Sequence, residues 1–200
     1  MKYVNQLQYP DMQYITQTAN SDPVGRAVGL ANTVAKSGCG LCSSVMVADL
    51  LRVDDGKFEV IDARQLSYDS GANHGVGTDG SILFPAFAEK FNLRYDWSKD
   101  SADLLRCLRT GGAAVIHASG DREGHVGLFT HRGHYIAAVS EERDGRIVIL
   151  DPSYKEGKFE EEGRQGLVEV KNGVMAICDM QTILDNTVNR LHPFYLFWRK

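Results

Sequence analysis

The segment Ser37-Gly38-Cys39-Gly40-Leu41-Cys42-Ser43-Ser44 places a thiol between two glycines, directly before the apolar run Val45-Met46-Val47-Ala48-Asp49-Leu50-Leu51. This run predicts a helix from about Cys39 to Arg52. A thiol at a helix start faces unpaired backbone N–H groups and the positive end of the helix dipole, and both favour the thiolate. Cys39 is therefore the candidate nucleophile of the chain.

A second motif lies far downstream and has the pattern of a β-hairpin. Residues 134–140 and 146–150 predict two strands, joined by the charged turn Glu141-Glu142-Arg143-Asp144-Gly145. His134 opens the first strand and Asp151 closes the second, so antiparallel pairing brings them side by side. An imidazole oriented by a carboxylate is what a nucleophilic thiol requires. The sequence predicts a catalytic triad of Cys39, His134 and Asp151. Only the tertiary fold can bring Cys39 close to the other two residues.

The other elements come as helices first and strands second. Further helices are predicted at about 62–68, 81–91, 100–111 and 179–187, and further strands at 113–118, 167–170, 174–178 and 194–199. This order predicts an α+β fold of two layers, with an N-terminal helical part packed on a C-terminal antiparallel β-sheet. We expect a single domain over residues 1–200.

The composition limits the partners. The chain has 200 residues, 43% of them hydrophobic, and a formal net charge of -4. A chain without a basic field is not typical of nucleic-acid binding, and its scattered positive charges do not indicate membrane binding. The N-terminus lacks the apolar core of a signal peptide. We expect a cytoplasmic protein as the sequence stands, or a secreted one if an export signal has been removed, and the oligomeric state stays open.

The cysteines and histidines outside the predicted set favour structural roles. The four cysteines do not form the two spaced pairs of a zinc site, so we expect no metal and no cofactor. Cys107 and Cys178 stand in apolar segments, which predicts burial. The charged stretch 155–164 is interpreted as a solvated loop or, because it follows Asp151, as a rim of the cleft. Among the histidines, His131 is the nearest rival of His134, and the rest are interpreted as loop or structural residues, namely His74, His117, His125 and His192.

These motifs, taken in order, resemble a known family. Gly38-Cys39-Gly40, Gly133-His134-Tyr135-Ile136 and Asp151-Pro152 resemble the papain-like cysteine peptidases of the bacteriocin-leader-peptidase-like family, the C39-like peptidases. The likeness extends through Gly77-Thr78-Asp79-Gly80 and the helix, glycine turn and strand of residues 104–116, and spans roughly residues 13–199. It implies a papain-like fold and hydrolysis of a peptide or small amide substrate without a cofactor.

Two departures from the family pattern keep alternatives open. A second thiol, Cys42, follows where the family has small residues, and papain carries its nucleophile as the second cysteine of a Cys-x-x-Cys. We favour Cys39 because its flanking glycines allow a substrate to approach closely. The resemblance also implies an upstream glutamine that helps to hold the oxyanion. Gln17 fits this role best, and Gln13 is the alternative.

Three other functions fit part of the sequence. Cys39-Gly40-Leu41-Cys42 at a helix start, with Pro85 as a candidate neighbour, is typical of thiol–disulfide oxidoreductases. Against this, residues 31–36 do not read as the buried parallel strand of that fold. A non-catalytic peptide-binding domain and an acyl transferase of transglutaminase type remain open too, since residue types do not separate attack by water from attack by an amine.

Overall fold

The computed structural model of the chain describes residues 1–16, 32–74 and 77–200. The helices in this part are α1 (Val34–Ser37), α2 (Cys39–Leu50), α3 (Val60–Asp69), α4 (Gly80–Lys90), α5 (Ser101–Arg109) and α6 (Met180–Asp185). Short 3-10 helices span Gln6–Gln8 and Lys158–Glu160. Carboxylates begin two of the longer helices, because Asp79 accepts a hydrogen bond from the backbone of Ser81 and Asp100 from that of Ala102.

The strands form one antiparallel sheet. They are β1 (Leu93–Ser98), β2 (Ala113–Ser119), β3 (Gly133–Glu141), β4 (Ile147–Leu150), β5 (Glu169–Lys171), β6 (Met175–Cys178) and β7 (Phe194–Arg199). Their order across the sheet is β1-β7-β2-β3-β4-β6-β5, and every neighbouring pair is antiparallel. The α+β class expected from the sequence is therefore observed.

The hairpin predicted around His134 is formed by β3 and β4. Ala137 pairs with Leu150 and Glu141 with Ile147, with an irregularity between Ala138 and Ser140. β3 lies at the centre of the sheet, and α2 packs against it. The start of β3, the end of β4 and the start of α2 thus meet at one end of the molecule.

Helices cover both faces of the sheet, so the prediction of two layers is wrong. One core lies between the sheet and α2, α3 and α4, and includes Leu41, Phe84, Phe87 and Val115. The other lies on the opposite face, where α5 and α6 contribute Leu104 and Ile183. The sequence of β2 contains a sign of this double coverage. Residues 113–116 are apolar at consecutive positions, as in strands that are buried on both faces.

One strand and one α-helix were not predicted. β1 alternates apolar Leu93 and Tyr95 with polar Arg94 and Asp96, a period-two pattern that a closer search would find. α1 has only four residues, too few for a periodic signal. Among the helices described, none has both the length and the apolar character needed to cross a bilayer.

Candidate active site

Cys39 is the first residue of α2 and follows α1 after a single glycine. A Cβ atom at position 38 would lie 2.4 Å from Cγ1 of Val34, and one at position 40 would lie 3.1 Å from Cβ of Thr78. The two glycines therefore make room for the protein's own neighbouring segments. Their observed contacts give both glycines a packing role that positions Cys39, in contrast to the predicted role in substrate approach.

His134 and Asp151 are adjacent and buried. His134 is the second residue of β3, and Asp151 directly follows β4. Nε2 of His134 lies 2.7 Å from Oδ1 of Asp151, and the two residues are 5% and 0% exposed. The hairpin register places this pair as the sequence predicted. In the tautomer that pairs with Asp151, Nε2 of His134 carries a proton and donates to the carboxylate. Nδ1 is then the ring nitrogen available to the thiol.

The thiol and the imidazole stabilise each other's charged forms. Burial opposes the thiolate, but a hydrogen bond with His134, the charge of its ring and backbone hydrogen bonds with Tyr135 and Gly40 lower the pKa of Cys39. Burial also opposes the imidazolium, yet the carboxylate of Asp151, by charge and hydrogen bond, together with Cys39 raises the pKa of His134 to about 9. Both shifts favour the thiolate–imidazolium pair over the neutral thiol and imidazole.

A lysine and a serine that the sequence analysis did not single out complete the surroundings of Asp151. Nζ of Lys158 donates to Oδ2 of Asp151 at 2.5 Å and to Oγ of Ser153 at 2.7 Å. The backbone N–H of Ser153 donates to Oδ1 at 2.8 Å, and its hydroxyl lies 3.0 Å from Nε2 of His134. Burial opposes ionisation of Asp151, but the charges of His134 and Lys158 hold the pKa of this carboxyl well below its usual range.

The segment 155–164 is not a simple solvated loop, and that interpretation is corrected. Lys158 is 5% exposed and Arg164 is 2% exposed. The guanidinium of Arg164 donates to the carbonyl of Gly127 at 2.9 Å and to Glu161 at 2.6 Å. A buried charge needs a partner, and Asp151 supplies one for Lys158 from a different element. No local pattern in this charged run distinguishes its two buried cations from its exposed residues.

The N-terminal residues 3–6 connect the part of the site that contains Asp151 to the part that contains Cys39. The hydroxyl of Tyr3 donates to the carbonyl of Asp151 at 2.8 Å, and the backbone N–H of Gln6 donates to the carbonyl of Pro152 at 2.7 Å. The side chain of Gln6 donates to the carbonyl of Ala35, in α1, at 2.8 Å. The segment thus links the loop that carries Asp151 to the helix that precedes Cys39.

A cleft of about 320 Å³ opens beside the thiol. Its lining comes from five parts of the chain, namely Cys39, residues 74, 77 and 78, His117 of β2, residues 133–135 of β3, and Arg190. His117, interpreted as structural, therefore borders the cleft, and burial lowers its pKa to about 3, which keeps the ring neutral. His74 borders it as well.

The remaining histidines lie outside this cleft. His131 is exposed, and its ring lies 2.9 Å from Asp121 and 3.0 Å from the guanidinium of Arg164. His125 contacts Asn186 at 3.3 Å. His192 packs edge-on against Trp97. The structure thus brings His134, and not its nearest rival His131, to Cys39.

Of the two glutamines considered for holding the oxyanion, Gln13 lies in the described part of the chain. Gln17 lies outside the described residues. Gln13 is exposed, its backbone forms a bridge with Thr33, and its carbonyl accepts a hydrogen bond from Arg64 at 2.9 Å. The backbone groups of Gly40 and Tyr135 form hydrogen bonds with Cys39, and the first turn of α2 offers further N–H groups.

Comparisons with known proteins show a similarity of fold. No protein-family model matches the sequence, and no curated protein matches it. A crystal structure described as that of a "putative C39-like peptidase from Bacillus anthracis" is similar to this chain with a TM-score of 0.52. The two are 12% identical, and the similarity covers 82% of this chain and 89% of that chain. The similarity to that crystal structure extends to the mixed arrangement of helices and antiparallel sheet.

The other three cysteines are buried. Burial and the nearby Cys39 raise the pKa of the Cys42 thiol, and burial raises the pKa values of Cys107 and Cys178 to about 12. All three therefore stay protonated at neutral pH, and a protonated thiol is a poor nucleophile. The geometry favours Cys39 over Cys42 as the reactive thiol.

We expect iodoacetamide to label Cys39 before any other cysteine of the folded protein. At pH 6 a free thiol is less than about 1% thiolate. Because His134 supports its thiolate, Cys39 should react at least about tenfold faster than glutathione under the same conditions. Peptide mapping by mass spectrometry identifies the labelled residue, and the Cys42→Ser variant should keep the wild-type rate. Preferential labelling of Cys42 would contradict the assignment.

Proposed function

We propose that the protein is a papain-like cysteine hydrolase that cleaves a peptide or related amide bond. The observation that supports the proposal is a series of hydrogen bonds from the Cys39 thiol through His134 to Asp151, beside an open cleft. A nucleophile, a base within hydrogen-bond reach and a group that orients the base form the arrangement used for covalent acyl chemistry.

The chemistry follows from the charges of the site. The Cys39 thiolate attacks the carbonyl carbon, and the imidazolium of His134 gives its proton to the leaving amine. Water, deprotonated by the same ring, then attacks the thioester and releases the acid. Asp151 keeps the tautomer and stabilises the imidazolium in each half.

The oxyanion of each tetrahedral intermediate requires hydrogen-bond donors. The backbone N–H of Cys39 belongs to the first turn of α2, where N–H groups have no partner within the helix. We assign one donor to this group and retain Gln17 as the proposed second donor.

The thiol–disulfide oxidoreductase alternative loses support from the sheet. A Cys-x-x-Cys redox motif of the thioredoxin type accompanies a βαβ unit, which contains parallel strands. In the described ranges every strand pair is antiparallel, and the short helix α1, rather than a strand, precedes Cys39. Cys42 is a residue of α2 and packs in the core.

A peptide library tests the proposed function directly. Wild-type protein is incubated with blocked short peptides, with and without a primary amine as a competing acceptor, and the products are identified by mass. We expect cleavage products that have gained one water, and none in the Cys39→Ala variant. Products that join the amine to the acyl group would instead support the acyl-transfer alternative. Absence of any product that depends on Cys39 would contradict catalysis.

The pH profile is expected to fall on the alkaline side near pH 9. The pKa of His134 is raised to about 9, so above that pH the ring loses the proton that the leaving amine requires. In Asp151→Asn a neutral amide replaces the carboxylate, the pKa of His134 falls and the alkaline limb moves to lower pH. Turnover should fall too, by less than in a variant that lacks the imidazole. An unchanged limb in Asp151→Asn would show that Asp151 does not support the imidazolium.

A further inference from the structure

Arg190 lies where two cavities adjoin. The first is the cleft that contains Cys39 and His134, and the second, of about 340 Å³, lies beside it. The two share three lining residues, His117, Tyr135 and Arg190. A peptide bound across Cys39 and extending into the second cavity would pass this guanidinium.

The contacts of Arg190 leave much of its donor capacity unused. Nη2 donates to the carbonyl of Ala118 at 2.9 Å and to that of Arg132 at 3.2 Å. Nε is buried and has no hydrogen-bond partner in the described part of the chain. Within the same ranges, no ion pair and no hydrogen bond from Nη1 is found for this residue. Two carbonyls brace the side chain, and the described residues supply no counter-ion for its charge.

Among the described residues, no carboxylate near Arg190 acts as its counter-ion. The described lining of the first cavity contains no aspartate or glutamate. Asp79 lines the second cavity, but its Oδ1 caps α4 by accepting from the backbone and the hydroxyl of Ser81, at 2.9 and 2.6 Å. Burial lowers the pKa of Arg190, as expected for a half-dehydrated cation with no anion beside it.

The guanidinium also stands next to the triad along the chain. A Cβ atom at Gly133 would lie 2.9 Å from Nη2 of Arg190, so only glycine lets the guanidinium approach the start of β3 so closely. His134 is the next residue. A charge held there is one residue from the proposed base, in the wall that a substrate would contact.

We propose that Arg190 binds a carboxylate of the substrate, so that the site selects peptides with a negative charge near the scissile bond. This inference rests on the proposed function. A guanidinium is the side chain best suited to hold a carboxylate by charge and directed hydrogen bonds. The carboxylate is either an aspartate or glutamate side chain or the free C-terminus of a peptide, and both present the same group.

Matched peptides test the proposal. One pair differs only in glutamate against glutamine within a blocked pentapeptide, scanned through each position, and the other is tetra-alanine with a free or an amidated C-terminus. Binding to the Cys39→Ala variant is measured by calorimetry, and kcat/KM is measured with the active protein. We expect the carboxylate member of at least one pair to be favoured about tenfold or more in both measurements. The pair that shows the preference identifies the source of the carboxylate.

The variant Arg190→Gln tests whether Arg190 recognises the substrate carboxylate or only stabilises the local structure. The ratio between matched peptides should fall to about one, and this ratio is insensitive to a general loss of activity because both peptides meet the same damaged site. The control Arg143→Gln, in the exposed turn between β3 and β4, should keep the wild-type ratio.

Each outcome bears on one of the two proposals. Equal or unmeasurable binding of both members of every pair would overturn the carboxylate site, and so would a preference that survives Arg190→Gln. A carboxylate preference in binding that depends on Arg190, without any cleavage by the wild-type protein, would contradict the hydrolase and leave the Arg190 site standing.

Discussion

His134→Ala is expected to lower turnover of any substrate that the wild-type protein cleaves by about 10⁴-fold or more. The imidazole carries the proton from thiol to leaving group and holds the thiolate through charge and a hydrogen bond. Its loss removes both contributions, so alkylation of Cys39 at pH 6 should slow as well. The measurements are kcat/KM on the best library peptide, the alkylation rate and a thermal melt that confirms folding.

His131→Ala is the matched control for this prediction. His131 precedes His134 by three residues and is exposed, outside the cleft. Exposed substitutions away from such a site usually have small effects, so turnover should stay within about twofold of wild type. Equal losses in the two variants would show that the imidazole of His134 has no special role. A folded His134→Ala protein with wild-type turnover would contradict the triad itself.

Lys158→Met is expected to lower the free energy of unfolding by about 3–5 kcal/mol, the cost of leaving one member of a buried ion pair without its partner. Oδ2 of Asp151 accepts from Nζ of Lys158 at 2.5 Å, and Asp151 is fully buried. Methionine keeps the volume of the lysine stem but offers neither a charge nor a donor. For a chain of this size we expect a melting temperature lower by about 6–20 °C.

Two further variants isolate the ion pair. Lys155→Met removes a lysine three residues away that is 64% exposed and pairs with Glu161 at 3.5 Å, and its cost should stay below about 1 kcal/mol. The double variant Lys158→Met/Asp151→Asn carries no unpaired carboxylate, so it should be more stable than Lys158→Met alone. Equal stability of Lys158→Met and Lys155→Met in chemical denaturation would contradict the prediction.

The sequence carried the local parts of the site. The helix that begins at Cys39 could be predicted because the glycines and the apolar run are contiguous. The pairing of His134 with Asp151 could be predicted because both belong to one hairpin, in which antiparallel register alone makes them neighbours. The class of fold followed in the same way, from the order of helical and strand patterns along the chain.

Only the tertiary structure decided which distant residues join this pair. The approach of Cys39 to His134 depends on the packing of α2 against β3, and the position of Arg190 depends on contacts with the ends of β2 and β3. The placement of α5 on the second face of the sheet is likewise a matter of packing. Such contacts join segments that are far apart in sequence, so no local period encodes them.

Lys158 shows the physical reason most directly. Within its own segment it is one charge among many, and a charged run in water is most stable when solvated. It becomes buried because folding brings it to a carboxylate at the end of β4, and the attraction between the two charges offsets the cost of removing both from water. The sequence by itself determined that an imidazole and a carboxylate would meet in a hairpin. The buried cation that accompanies them was decided by the fold, because the energy of a buried charge depends on partners that the rest of the chain supplies.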